Sequence, residues 1–315
     1  YLRAAVAAQR VYADAEAAGL LDQAAALVPG TPRELEVLTA LPGPLAAAEG
    51  YASPRLRAAL DRAFGLAGEL GVVPDAPLIR AQAMAVLSRG EFATARQYGA
   101  QLCERDTGDD LLAVEGHFVQ GVAAAWRNET DAAREHLRAA IDRYRPANRA
   151  AHLRAYGQDP RVLCLARLAH VEFCRGDAGS ARRWRAKALA EAAETGHPFS
   201  TATATLFAAM LDLDLGDDEA LRADVAGLRK LRPRVEAIPI RLSADALTGY
   251  LEVRDGSTTA GIARIDAALA DPGRFTAPGL PAMLWRIRLA AAGDPGSKRA
   301  LLDSDVRVWD AVAER

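Results

Sequence analysis

The side chains of this 315-residue chain whose types and spacing could do chemistry gather in one polar, turn-rich stretch: Arg149, His152, Tyr156, Gln158, Asp159 and Arg161. On the concave side of a helical array they could hydrogen-bond a small anionic or polar ligand, or another domain. The same residues also have an architectural reading. Asp159 would cap the next helix with Pro160 as its first residue, Gly157 would make the turn, and Tyr156 would pack over the loop. A second group is His197-Pro198-Phe199-Ser200. Its plain reading is a short interhelix connector with Phe199 in the core. Both stretches precede inner helices of adjacent units, which would place them on one rim.

Nothing else in the sequence forms a catalytic constellation. There is no GxxxxGK[ST] phosphate loop, GxGxxG, HExxH or GxSxG. The stretch Gly293-Asp294-Pro295-Gly296-Ser297-Lys298 has the wrong spacing for a phosphate loop and reads as a turn. His117, His136, His152, His170 and His197 are scattered, none with a metal-ligand partner at helical spacing. Cys103, Cys164 and Cys174 form no CxxC pair and lie within apolar helical patterns. Buried free thiols in a reducing cytoplasm are expected, with neither a metal site nor a disulfide. The chain itself is therefore read as a non-enzyme that holds no metal.

Composition narrows the partners. The formal charge is -2, so no global basic field calls for direct nucleic-acid contact or an acidic membrane surface. Lys occurs only at 187, 230 and 298, and the remaining cations are Arg, as coding bias would produce. No apolar run approaches the roughly 20 residues that span a bilayer. The chain opens at Tyr1 inside a helical pattern, which reads as a fragment of a longer protein.

The elements that must position these residues are helix pairs. Thr31-Pro32-Arg33-Glu34 has the form of a capping box, Leu41-Pro42-Gly43-Pro44 breaks the helix it starts, and Ser53 caps another helix beginning at Pro54. Residues 1–18 have helical composition without a start signal, as a partial first repeat would. From Arg80 a repeat emerges: Gly90-Glu91 with Ala95-Arg96, Asn128-Glu129 with Ala133-Arg134, and Gly176-Asp177 with Ala181-Arg182. Weaker copies follow at Gly216 and Gly256. Gly and Asn tolerate the left-handed conformation that ends a helix. After each turn the helix carries one apolar stripe, such as Ala133, Leu137, Ala140 and Tyr144. The helix before it, such as 162–174, is apolar on nearly every side. Alternating inner and outer helices predict an all-α, tetratricopeptide-like right-handed superhelical solenoid. Residues 1–70 would form irregular N-terminal repeats and 71–315 the regular array. Successive turns are 38 to 40 residues apart except from Asn128 to Gly176, where the spacing is 48. The extra residues fall in 145–160, the polar stretch.

These residues carry a family resemblance. Residues 27–33, 50–54, Tyr144, Tyr156-Gly157-Gln158-Asp159-Pro160, 162–165 and 197–200 resemble the tetratricopeptide region following the ATPase domain in large bacterial STAND-type regulators. Those proteins include AfsR-like SARP activators, LuxR-type regulators and ATPase-containing adenylate/guanylate cyclase-like proteins. The resemblance implies a non-catalytic sensor and interaction domain of a multidomain ATP-dependent transcriptional regulator. Its partners would be its own upstream ATPase domain or a protein or small-molecule effector. ATP would belong to that ATPase domain and no cofactor to this chain. Alternatives are the regulatory region of a nucleotide cyclase-type enzyme and a generic peptide-binding scaffold.

Overall fold

The structure, a computed structural model, describes residues 1–108, 110–235, 237–271 and 279–293. The turn expected over 294–298 lies outside the described residues. Within them every regular element is helical, and none of the helices is long and apolar enough to cross a membrane.

Five helices come first: α1 (Leu2–Arg10), α2 (Asp14–Ala26), α3 (Pro32–Ala40), α4 (Pro42–Glu49) and α5 (Pro54–Glu69). Helix pairs follow: α6 (Ala76–Ser88) with α7 (Phe92–Glu104), then α8 (Leu111–Trp126) with α9 (Thr130–Arg143). A short 3-10 turn (Pro146–Asn148) and the extra helix α10 (Arg149–Tyr156) interrupt the series. It resumes with α11 (Pro160–Cys174) and α12 (Ala178–Thr195), α13 (Pro198–Leu215) and α14 (Asp218–Leu231), α15 (Ile238–Arg254) and α16 (Thr258–Ala270), then α17 (Gly279–Ala291).

The packing is that of an all-α helical solenoid. The inner helices α6, α8, α11, α13 and α15 pack on one another in order. The outer helices α7, α9, α12 and α14 each sit between their own inner helix and the next. That two-sided packing explains why inner helices are apolar all round and outer ones carry a single stripe. In α9 the buried residues are Ala133, Leu137 and Ala140, whereas α11 buries nearly its whole length.

Local chemistry sets the boundaries as the sequence predicts. The reversals at Gly90, Asn128, Gly176, Gly216 and Gly256 all have positive φ, from 57° to 91°. Thr31 accepts from Glu34 N, and Ser53 accepts from Arg55 N and Leu56 N. At the α7–α8 crossing, a Cβ on Gly116 would lie 2.5 Å from the Gly99 carbonyl oxygen. Only glycine allows these helices to approach so closely.

Residues 1–18 hold α1, a break of the backbone at Tyr12 (φ 60°) and the start of α2, which runs on to Ala26 and packs on α3 and α4. One expectation differs from the structure. Of the cysteines, only Cys164 is buried; Cys103 is half-buried and Cys174 exposed, because Cys174 is the last residue of its helix, off the packed face. The N-terminal helices and the array also share an apolar cluster, in which Leu78, Ala81 and Ala85 of α6 pack with Leu56, Leu60 and Leu66 of α5.

Candidate functional site

Helix α10 packs against α4 and α6, so the extra residues lie on the inner side of the array, not outside it. Gly157 ends α10 in the left-handed conformation (φ 69°), and a Cβ there would lie 3.1 Å from the Gly43 carbonyl oxygen. A side chain would push the corner off α4. Asp159 then caps α11: its Oδ1 accepts from Arg161 N at 2.9 Å and Val162 N at 3.3 Å.

Around this corner six of the seven candidate residues fall into two hydrogen-bonded groups, and the Tyr156 ring lies 6.1 Å from that of His152 and 5.9 Å from the Arg80 guanidinium. In the first, Asp159 Oδ2 accepts from the Tyr144 hydroxyl (2.9 Å) and from Arg149 Nε (3.2 Å). Arg149 also pairs with Glu191, which lies 3.0 Å from Arg161 Nε. Asp159 N donates to Ser200 Oγ (2.9 Å), and Ser200 Oγ lies 2.8 Å from His197 Nδ1. The two stretches do share one rim.

In the second group, Arg80 Nε donates to Glu115 Oε2 (2.9 Å), and Glu115 Oε1 lies 2.7 Å from His152 Nδ1. Arg80 Nη1 donates to the Tyr51 hydroxyl (3.0 Å), and its guanidinium lies 4.8 Å from the Phe118 ring centre. The Gln158 amide sits between the Tyr51 hydroxyl (3.3 Å) and Arg80. With its oxygen turned to Arg80 it accepts from Nη1 at 3.3 Å. The His152 ring stacks on Tyr144 at 5.5 Å and so joins the two groups.

Burial decides what these groups can do. Arg80, Glu115, His152 and Asp159 are 1% exposed or less, and Tyr156, Gln158 and His197 are also buried. The Tyr144 hydroxyl is pushed well up by burial and by the neighbouring Asp159, which suits a donor that stays protonated. Burial lowers the Arg80 pKa, but Tyr51 and Glu115 outweigh it, so the guanidinium stays charged. These side chains bind one another; the exposed parts of Arg149 and Arg161 are all that the group offers to solvent. The corner is a polar clamp joining α4, α6, α8, α10, α11 and α13.

Beyond the clamp the inner helices line an open-mouthed axial cavity of about 190 Å³, with Tyr51 and Gln158 in its wall. It is lined mostly by apolar side chains at helical spacing, such as Phe118 and Val122 on α8 and Leu206 on α13. A second cavity of about 90 Å³ shares the walls Trp126, Arg167, Phe207 and Met283 with it. Arg167, on α11, lies where the two meet. Its guanidinium stacks over Phe207 (4.0 Å) and Trp126 (4.5 Å). It has no carboxylate or hydrogen-bond partner among the described residues. Burial alone lowers its pKa to about 9. The surface it retains is that of a cavity wall. Nearby Asp214 is occupied by Arg286 at 2.5 Å. The hydroxyls of Thr203 and Ser243 line the larger cavity and are buried without a hydrogen-bond partner.

Neither Arg167, Thr203 nor Ser243 was among the candidates from sequence. The available signal was a polar residue within an inner helix that is otherwise mostly apolar. A separate pair was also missed: His117 Nδ1 and His136 Nδ1 lie 3.0 Å apart across α8 and α9, both lowered first by burial. Among the described residues no group of three or more His, Cys, Asp or Glu could hold a metal. A cleft of about 400 Å³ is lined by Tyr12, Asp14 and His197, the Tyr12 and His197 rings meeting edge to face at 5.0 Å, and burial raises the Asp14 carboxyl to about 6. Compared with known proteins, the chain matches no family model, and a search of curated proteins returns no match.

Proposed function

We propose that the chain is a non-catalytic sensor and interaction module that takes up an effector at its axial cavity. The observation carrying this reading is the cavity itself: a mostly apolar pocket between the inner helices with Arg167 in its wall and the hydroxyls of Thr203 and Ser243 left unsatisfied beside it. Ligand sites have this character, mostly apolar with a few placed polar groups. The clamp supports a small effector over an extended peptide. His152 of α10 reaches Glu115 and so covers the inner face of α6 and α8. A peptide-binding array would keep that face open.

The resemblance of Tyr156–Pro160 and its companion segments supports a wider setting. There the module is a tetratricopeptide-type right-handed superhelix in a cytoplasmic, ATP-dependent transcriptional regulator. Effector occupancy would change how it packs on the ATPase domain, which would hold the ATP.

Thermal denaturation of the chain against nucleotides, small metabolites and short peptides tests the reading. A ligand at a hundredfold excess over its dissociation constant adds about 2.7 kcal/mol of apparent stability. Stabilisation by a small molecule, lost on filling the cavity with Ser243→Phe, is expected. Stabilisation by peptides alone, insensitive to that substitution, would overturn the reading in favour of a scaffold.

A further inference from the structure

We propose that the axial cavity selects a small amphipathic monoanion: an apolar chain or ring with one carboxylate head, paired with Arg167. This rests on the effector-binding reading and specifies the ligand's chemistry.

The charge balance at the junction of the two cavities carries the argument. Arg167 has lost most of its water and gained no carboxylate among the described residues. The rings of Trp126 and Phe207 cover its faces. Such stacking holds a guanidinium in place and leaves the in-plane N–H donors available. The other charges beside the smaller cavity do not neutralise it. Arg286 takes up Asp214, and the His170 imidazole is held neutral, its pKa lowered to about 3 by burial and by Arg286 and Arg167. Among the described residues no carboxylate pairs with the Arg167 guanidinium, which lies in a mostly apolar cavity wall. A carboxylate matches the guanidinium fork with two parallel hydrogen bonds, and both are strengthened by the low local dielectric.

The remainder of the cavity sets the rest of the ligand. Phe118, Val122, Leu163, Ile240 and Met283 offer an apolar bed. Ser243 is fully buried yet its Oγ has no partner, and Thr203 Oγ1 is in the same position. Thr203 stands one turn before Phe207 on α13, so its hydroxyl is one turn away from the ring that carries Arg167. At about 190 Å³, with about 90 Å³ adjoining, the space falls below the roughly 300–1,000 Å³ of drug-sized sites, which calls for a small ligand.

The test compares octanoate, octanol and octylamine by calorimetric titration and thermal denaturation of the whole chain. Octanoate is expected to bind at least tenfold more tightly than octanol, and octylamine to bind least. Arg167→Gln should remove that tenfold preference while octanol binding stays as it was, which shows that the cavity is still folded. Ser243→Phe should abolish binding of both. Equal binding of octanoate and octanol, or octanoate affinity unchanged in Arg167→Gln, would overturn the anion inference and leave effector binding standing. No binding of any probe, with stabilisation only by peptides, would overturn both.

Discussion

His152 Nδ1 lies 2.7 Å from Glu115 Oε1 in a site where neither side chain reaches solvent. The carboxylate's other oxygen holds Arg80, so one buried Glu on α8 ties the inserted helix to α6. Breaking a buried ionic group by removing one partner costs about 3–5 kcal/mol, because the other charge is left behind. Glu115→Ala should therefore lower stability by that amount in chemical denaturation. Glu115→Gln, which still presents an oxygen to Arg80, should cost less. If Glu115→Ala costs under about 1 kcal/mol, the clamp does not hold the array together.

Asp159 combines a helix cap with a buried anchor. Loss of a capping side chain alone costs about 0.5–2 kcal/mol, and Asp159→Ala also strands the Tyr144 hydroxyl and Arg149. The expected loss is about 2–4 kcal/mol. Asp159→Asn keeps an oxygen for the cap but turns N–H groups towards Arg149 and should fall between. In either variant that remains folded, affinity for a cavity ligand should be within a factor of two of the parent. A selective loss of binding without loss of stability would make the corner a binding site.

His197 should make the protein sensitive to mild acid. Its Nδ1 accepts from Ser200 N (3.2 Å), which requires an unprotonated nitrogen, and burial holds the pKa at about 4, below the ordinary 6.5. Between those values the unfolded chain binds a proton that the native state refuses, so stability falls as pH falls. His170, held near 3 by burial first, acts in the same direction. The Asp14 and Asp224 carboxyls, raised by burial to about 6 and about 7, act oppositely. They take up protons in the native state first and add stability on acidification. A difference between variants isolates the imidazole. His197→Asn keeps an acceptor at the cap and removes the titration. From pH 7 to pH 5 its stability relative to the parent should improve by about 2 kcal/mol. Parallel pH profiles would show that His197 accepts its proton without cost.

Much of the architecture was legible because it depends on local chemistry. Gly90, Asn128, Gly176, Gly216 and Gly256 had to reverse the chain, and the 48-residue gap before Gly176 announced extra residues, though not that they form the helix α10. Asp159 and Pro160 read as a cap and first turn, and they are. The site was less legible. His152 and Gln158 looked like ligand-facing polar residues, but their partners Glu115, Arg80 and Tyr51 lie 37, 78 and 107 positions away, respectively. No local pattern encodes pairing over such distances. Arg167 was overlooked for the converse reason. Within 162–174 it reads as one of three polar residues, with His170 and Glu172, on a mostly apolar helix, and only the convergence of α8, α13 and α15 shows that it faces a cavity.

Arg167 should also be costly to the empty protein. Burial lowers its pKa to about 9, so the surroundings disfavour the charge despite the two aromatic rings. Stacking of this kind returns about 0.5–2 kcal/mol, whereas an unpaired buried ion costs several. The part of Arg167 that stays exposed in the cavity wall reduces that cost. Arg167→Met, similar in length and apolar, should then stabilise the ligand-free chain by on the order of 1 kcal/mol. For a chain of this size that corresponds to a rise of about 1–2 °C in Tm. A functional residue is the place to find such a penalty, since a ligand that neutralises the charge recovers it on binding. If Arg167→Met instead lowers stability by more than about 1 kcal/mol, the guanidinium is serving the fold and its charge is already compensated.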